Sequence, residues 1–377
     1  MPECPLPIDV LPKPLHKHVE GAAPLPLRMM GAKGLVPAVA PGDLATMLWF
    51  LSYDAEPPVR EAAARTAEGL PDRIWSVALR SEGLKGPVLD WLADRFAGRE
   101  AALELVLLNP STPDETVARL APTVPQRLAD VVRQNELRLL RHDDIVRGLC
   151  RNPSALASTV DGACDFCVRN GLVLLDVPQI VEAYRRIYGK DPAPHPAEDS
   201  AAALMAEYQD VLAHEHEEGA QRQETPEEVQ KKLTVTQRIM RMSVAEKIKL
   251  ATLGNREART ILLRDANKLV SLAAAQSPRI TDGEILGLAH SKTSSADVLR
   301  YIYENRDFLK TYSIRLALVR NPKVPLPTAL RFLPTLQEKD IKELSRDRNV
   351  PVTVQAQAKA WISKREMASR GPEGGKH

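Results

Sequence analysis

Cys164-Asp-Phe-Cys167, with Cys150 and His142 upstream, is the stretch whose residue types could hold a metal. Two cysteines three apart on a helix place their sulfurs about one turn apart on one side, and a tetrahedral zinc ion needs four such ligands. The spacing His-x7-Cys-x13-Cys-x2-Cys matches no zinc module. A buried cysteine also serves as a small apolar side chain. The expectation for Cys150, Cys164 and Cys167 is therefore packing, with no metal and no cofactor. His195, His214 and His216 fall in acidic, polar sequence (Asp191-Pro-Ala-Pro-His-Pro, His214-Glu-His-Glu-Glu-Gly) and read as part of a solvated linker.

Charge is the second feature with chemistry in it. Residues 231–370 hold 27 lysines and arginines against 13 aspartates and glutamates, a net of +14. The whole chain is +2 and residues 371–377 are neutral, so residues 1–230 carry −12. Arg238, Arg241, Lys247, Lys249, Arg256, Arg259, Arg264 and Lys268 concentrate in the first helices of the basic half, where as a set they would attract phosphates or an acidic partner. The plain alternative is a solvated repeat surface neutralised by the acidic stretch before it. Tyr301, Tyr303, Phe308 and Tyr312 form the only aromatic cluster of this half, and they read as packing, not as a platform for stacked bases.

Signatures of catalysis are absent. The chain has no Gly-x-Ser-x-Gly, no Gly-x4-Gly-Lys-Ser/Thr, no His-Glu-x-x-His and no dinucleotide glycine fingerprint. No catalytic residue is expected, and the protein reads as a non-enzyme.

The elements that position these groups are announced by their punctuation. Ser313 to Trp361 runs apolar helix, Asn321-Pro322 break, a helix that can start at Pro325, a charged turn, and then the same again. Proline suits the start because the first helical turn leaves its N–H groups unpaired in any case. Asn109-Pro110, Asn152-Pro153 and Ser277-Pro278 are further corners, and Asn349-Val350-Pro351 is a shortened one. Thr281 with Glu284, and Thr112 with Glu115, match the capping box that opens a helix. Prolines 110 and 153 lie 43 apart, and 278 and 322 lie 44 apart, within the span of two helices and their turns. Thirty prolines against nineteen glycines favour helices with Pro-started corners over a sheet with glycine turns. Aromatics at 4% leave the cores to Leu, Ala, Val and Ile, with Trp49, Trp75, Trp91 and Trp361 as anchors.

The rhythm Arg315-x-x-Leu318-Val319-x-Asn321-Pro322-x-x-Pro325 resembles the leucine-rich repeat variant and HEAT-like helical solenoids found among bacterial repeat proteins. Asp54-Ala-Glu-Pro-Pro-Val59-Arg60-Glu-Ala62-Ala63 is similar to the second half of a HEAT repeat. The resemblance covers about two thirds of the chain, in two blocks. It implies an all-α fold, an α-solenoid whose units stack on copies of themselves, and a scaffold or binding surface more often than an enzyme. One branch of the leucine-rich repeat variants carries a cysteine-ligated iron–sulfur cluster, but the cysteine spacing here does not match it.

The sequence thus lays out a Pro-rich extended arm (1–38), a first helical-repeat block (39–171), an acidic, mostly disordered linker (172–235), a basic second block (236–366) and a disordered tail (367–377). Residues 181–230 hold twelve acids against four bases, which disfavours a packed core there and leaves a short helix over Ala201 to Ala213 as the one regular element expected. Few cysteines, and no apolar run long enough to span a bilayer or to act as an export signal, point to a soluble protein of the reducing cytoplasm. The expected function is a scaffold that presents a helical surface to a protein partner. The alternative is nucleic-acid binding by residues 231–370, and a third reading folds the acidic linker over the basic block.

Overall fold

The computed structural model describes residues 4–81, 83–193, 200–207 and 235–369, with side chains through Arg365. Every regular element among them is a helix, and the helices pack as neighbouring pairs, an all-α repeat architecture. None of these helices is long and apolar enough to cross a membrane. Chain contacts divide the molecule into two compact units, residues 1–169 with 173–193, and residues 170–172 with 194–377.

In the first unit the proline-rich start is not an extended arm. Lys13–His16 and Leu25–Ala32 are helices, with Pro12 and Pro24 at their N-caps and Pro14 and Pro26 in their first turns. Those are the places where a missing N–H breaks no intrahelical bond, so proline density and helix are compatible here. The Leu25–Ala32 helix packs on Pro41–Leu51 and Pro57–Gly69. Its Arg28 reaches the buried Asp54 in the corner between those two helices. Asp54 Oδ1 also accepts from the Glu56 N–H at 2.9 Å, and Arg60 donates to the Asp54 carbonyl at 2.7 Å. At the other end Pro178–Tyr188, expected as linker, is a helix packed along Ala157–Arg169 and closed by Gly189 at φ 68°. Trp49 and Trp75 are buried, Trp75 edge-on to Phe96 at 5.2 Å. Trp91 is half-buried, with the Arg95 guanidinium 3.9 Å from its ring centre.

In the second unit helices stack on their next-but-one neighbours. Val244–Leu253 packs on Lys268–Ala275, which packs on Ala296–Glu304, while Asp282–His290 packs on Tyr312–Arg320. Ile285, Leu299, Ile302, Ile314, Leu318 and Ile341 are buried in one core, with Tyr301, Tyr303, Phe308, Tyr312 and Trp361 packed against it. Each such large apolar side chain removed from water stabilises the fold by roughly 1.5–3 kcal/mol. The short helix expected over Ala201 to Ala213 is described as Ala201–Glu207, with 208–213 outside the described residues, and it packs on Val244–Leu253 in place of lying free in a linker.

The corners explain how one helix pair is tied to the next. Asn321 ends its helix, and its Nδ2 donates to the Ala289 and Ser291 carbonyls of the preceding corner at 2.7 and 3.0 Å. Its Oδ1 accepts from the Lys323 N–H at 2.9 Å, which folds the turn. Asn109 does the same toward Leu79 and Ser81, and Asn152 toward Ala121 and Val124. All three asparagines are buried. These latches span 28 to 32 residues, shorter than the 43- and 44-residue proline spacing. The corner latched by Asn321 is His290-Ser291-Lys292, which has neither Asn nor Pro to mark it, and the corner latched by Asn152 holds Pro122 but no Asn.

The two expected capping boxes divide. Thr281 and Glu284 form theirs, each side chain bonding the other residue's backbone N–H. Thr112 and Glu115 do not. The Thr112 hydroxyl donates to the Val106 carbonyl at 2.6 Å instead, and Pro113 takes the N-cap of Asp114–Leu120.

Candidate functional site

A cleft of about 590 Å³ opens in the second unit, walled by residues of the Arg256–Leu262 and Asp282–His290 helices and by the turn Ser291–Ser295. Four charged side chains line it: Arg256, Arg264, Asp265 and Glu284. Both carboxylates are held by cations that lie outside the lining. Lys247 Nζ sits 2.8 Å from Asp265 Oδ2, and Arg259 grips Glu284 through Nε at 3.0 Å and a terminal nitrogen at 3.2 Å. Arg256 and Arg264, the two cations of the lining, are both exposed.

Glu284 is the structural hub of this wall. Beyond Arg259 it accepts from the Thr281 N–H at 3.0 Å and the Thr281 hydroxyl at 2.9 Å. Burial opposes its ionisation, but the hydrogen bonds from Arg259 and Thr281 outweigh it and hold the carboxyl below its ordinary range. A carboxylate fixed in its charged form by two partners is not poised to exchange protons.

The rest of the polar lining is hydroxyl, and most of those hydrogens are already committed. Thr260 donates to the Arg256 carbonyl at 2.8 Å, Ser271 to Lys268 at 3.2 Å and Ser294 to Leu288 at 2.8 Å. Ser295 caps Ala296–Glu304 by accepting from the Val298 N–H at 3.2 Å. A hydroxyl whose hydrogen is engaged still offers lone pairs. The cleft thus presents guanidinium donors for an anion beside oxygen acceptors for N–H groups. No aromatic ring lines it. A smaller cavity of about 130 Å³ lies at the latched corner itself, with His290, Lys292 and Arg320 around Asn321.

Of the eight basic residues singled out in the sequence, the structure brings Arg256 and Arg264 into the cleft. Arg259 corrects the expectation: it is fully buried, because its position on the helix turns it inward with Ala258 and Leu262, and Glu284 consumes it. Lys247 is likewise a half-buried ion-pair partner and not a surface cation. Lys249 lies 3.7 Å from Glu246, and Arg238 pairs with Glu207 of the Ala201–Glu207 helix. Arg241 and Lys268 are exposed and outside the cleft. The hydroxyl rim was missed, although Ser291-Lys-Thr-Ser-Ser295 is an unusually dense run of small hydroxyl residues.

The cysteines come together in the first unit. Cys150, on Asp143–Arg151, and Cys164, on Ala157–Arg169, place their sulfurs 3.7 Å apart. Cys164 and Cys167 are buried and Cys150 is half-buried. The hydrogen bond with Cys164 lowers the Cys150 thiol and raises that of Cys164, while burial pushes Cys167 up to about 12. His142 Nδ1 is buried with no hydrogen-bond partner among the described residues. Among those residues no group of three or more His, Cys, Asp or Glu side chains is placed to hold a metal ion. His195, His214 and His216 lie outside the described residues, as does most of the acidic stretch.

Fold and cleft together define an all-α protein of paired, latched helices with a polar, arginine-bearing cleft in its second unit. Comparison with known proteins adds no closer kinship: no family model, no curated protein and no solved structure matches the chain.

Proposed function

We propose that the protein is a non-enzymatic, HEAT-like helical-repeat scaffold, and that the cleft of its second unit takes an acidic segment of a protein partner. The observation that carries this reading is the placing of two exposed arginines in one cleft with the Thr260, Ser271 and Ser294 hydroxyls, whose hydrogens are committed to backbone carbonyls and whose lone pairs accept. An extended acidic peptide supplies both complements, carboxylates for Arg256 and Arg264 and backbone N–H groups for the hydroxyls. Stacked repeats suit such a role because they present an extended surface without needing a catalytic centre.

Nucleic-acid binding is the second reading, favoured by the net +14 of residues 231–370. Phosphodiesters would satisfy the arginines but bring no N–H to the hydroxyls. The absence of aromatic lining also leaves single-stranded bases without a stacking surface.

The test uses the full chain. Fluorescent poly-glutamate peptides and duplex DNA of matched charge are titrated across a salt series, with wild type and the Arg256→Ser/Arg264→Ser double variant. The scaffold reading expects tighter peptide binding, weakened about tenfold or more by the double variant. A preference for duplex, with a log K against log salt slope that falls by about two in the double variant, would transfer the cleft to nucleic acid. Binding of either probe that the double variant does not change would remove the cleft from both readings.

A further inference from the structure

We propose that Cys150 and Cys164 form an oxidant-responsive thiol pair, which a hydroperoxide converts to a reversible disulfide that joins the last two helices before the Asn170 turn.

The case begins with position. The two sulfurs lie 3.7 Å apart on helices that pack directly on one another, Asp143–Arg151 and Ala157–Arg169. Cys150 is half-buried, whereas Cys164 beside it is fully buried. That asymmetry separates a residue that meets the oxidant from one that resolves it. The local charges fit the same division of labour. The hydrogen bond from the Cys164 S–H stabilises a thiolate at Cys150 against the cost of burial, and Arg151 adds to this, while that same hydrogen bond, burial and the Cys150 charge keep Cys164 protonated. Cys167 is buried one turn further along the same helix and makes no sulfur–sulfur contact at hydrogen-bond range.

The chemistry balances with the hydroperoxide as the sole co-reactant. The Cys150 thiolate attacks the terminal peroxide oxygen, the O–O bond breaks, and the alkoxide or hydroxide leaves with the electron pair and takes up a solvent proton. Cys150 is then a sulfenic acid. The Cys164 sulfur attacks that sulfur, the S–O bond breaks, and the hydroxyl departs as water with the proton Cys164 gives up. Two thiols have lost two electrons and the peroxide has gained them. The new bond closes the segment that carries the Asn152 latch, so oxidation fixes the corner already held by the Ala121 and Val124 carbonyls.

The experiment exposes the full-length protein to one to several equivalents of hydrogen peroxide, blocks remaining thiols with an alkylating reagent, and maps disulfides by mass spectrometry. The expected result is the loss of two thiols per chain, a cross-link between the peptides holding Cys150 and Cys164, and full recovery with a dithiol reductant. Cys164→Ser should instead leave a Cys150 sulfenic acid trapped by a dimedone-type reagent, and Cys167→Ser should leave the cross-link unchanged. The wild-type map decides the matter even if a buried Cys→Ser variant folds poorly. A cross-link that includes Cys4 or Cys167, an intermolecular dimer, direct passage of Cys150 to sulfinic acid, or retention of all four thiols would each overturn the proposal.

Discussion

Asn321 shows how much of this fold rests on single amides. Its side chain makes two donations and one acceptance in a buried corner, so no smaller residue can replace it. Asn321→Ala leaves two carbonyls and one N–H without their partners and should cost about 1–3 kcal/mol or more, read as a lower urea midpoint at unchanged slope. Asn321→Asp should be worse, because a carboxylate keeps the acceptor but cannot donate, and it adds a buried charge. Arg138 plays a related part at the Asn109 corner. It is buried, and it donates to the Thr112 and Asn109 carbonyls at 2.6 and 3.0 Å while pairing with Asp114 at 2.8 Å. The asparagines were legible in the sequence as helix breaks. Their acceptors were not, since these are backbone carbonyls about thirty residues away that no side-chain pattern marks. Arg259 was misread for a related reason. Its type suggested surface charge, and only the rotation of a seven-residue helix decides that it faces the core.

Among the elements, the helices are short and begin in two ways. In the first unit most start at or next to proline with no side-chain cap, as at Pro41–Leu51, Pro57–Gly69 and Gly86–Arg95. In the second unit Ser243, Asn255, Asn267, Thr281 and Ser295 cap through their side chains. The Thr-x-x-Glu pattern therefore succeeded at Thr281 and failed at Thr112, where the following proline occupies the N-cap. Short helices also permit close approach. A Cβ on Gly148 would lie 2.8 Å from Ala121 Cβ and 3.0 Å from Pro122 Cδ, so the Asp143–Arg151 helix touches the end of Asp114–Leu120 without room for a methyl. Gly148→Ala should gain helix propensity of about 1 kcal/mol and lose more than that by pushing the helices apart. A melting temperature below wild type checks this, and an increase would mean that the contact relaxes at little cost.

For the molecule as a whole, the formal charge of +2 conceals its electrostatics. In the first unit arginines find acids about one repeat away, as Arg127 does with Glu100 and Glu104, Arg147 with Asp176 and Arg119 with Asp90. In the second unit the Arg259–Glu284 pair is buried, and it makes stability depend on pH. Glu284 has a folded pKa below its unfolded value, so its contribution is complete above the ordinary carboxylate range. It is lost as the pH falls through the lower folded value, in a window beginning near 4.5 and extending downward. Urea midpoints from pH 7 to pH 3 should fall more steeply for wild type than for Glu284→Gln, and parallel curves would show that other carboxylates dominate. The architecture at this scale was legible from proline, asparagine and Leu/Ala-rich runs. The extent of each unit was not, because Leu25–Ala32 and Pro178–Tyr188 owe their helicity to docking on neighbours, and no pattern in Ala201–Glu207 announces that it docks on Val244–Leu253.

The corner latch has a consequence for how such a chain can change over generations. The donor is one side chain, but the acceptors are main-chain carbonyls that any helix end of suitable length possesses. A duplicated segment carrying its own Asn-Pro corner can be joined after an existing helix with no compensating substitution in that neighbour, as the unmarked Ser291 corner demonstrates. Gene duplication and unequal recombination then meet little resistance at these joints.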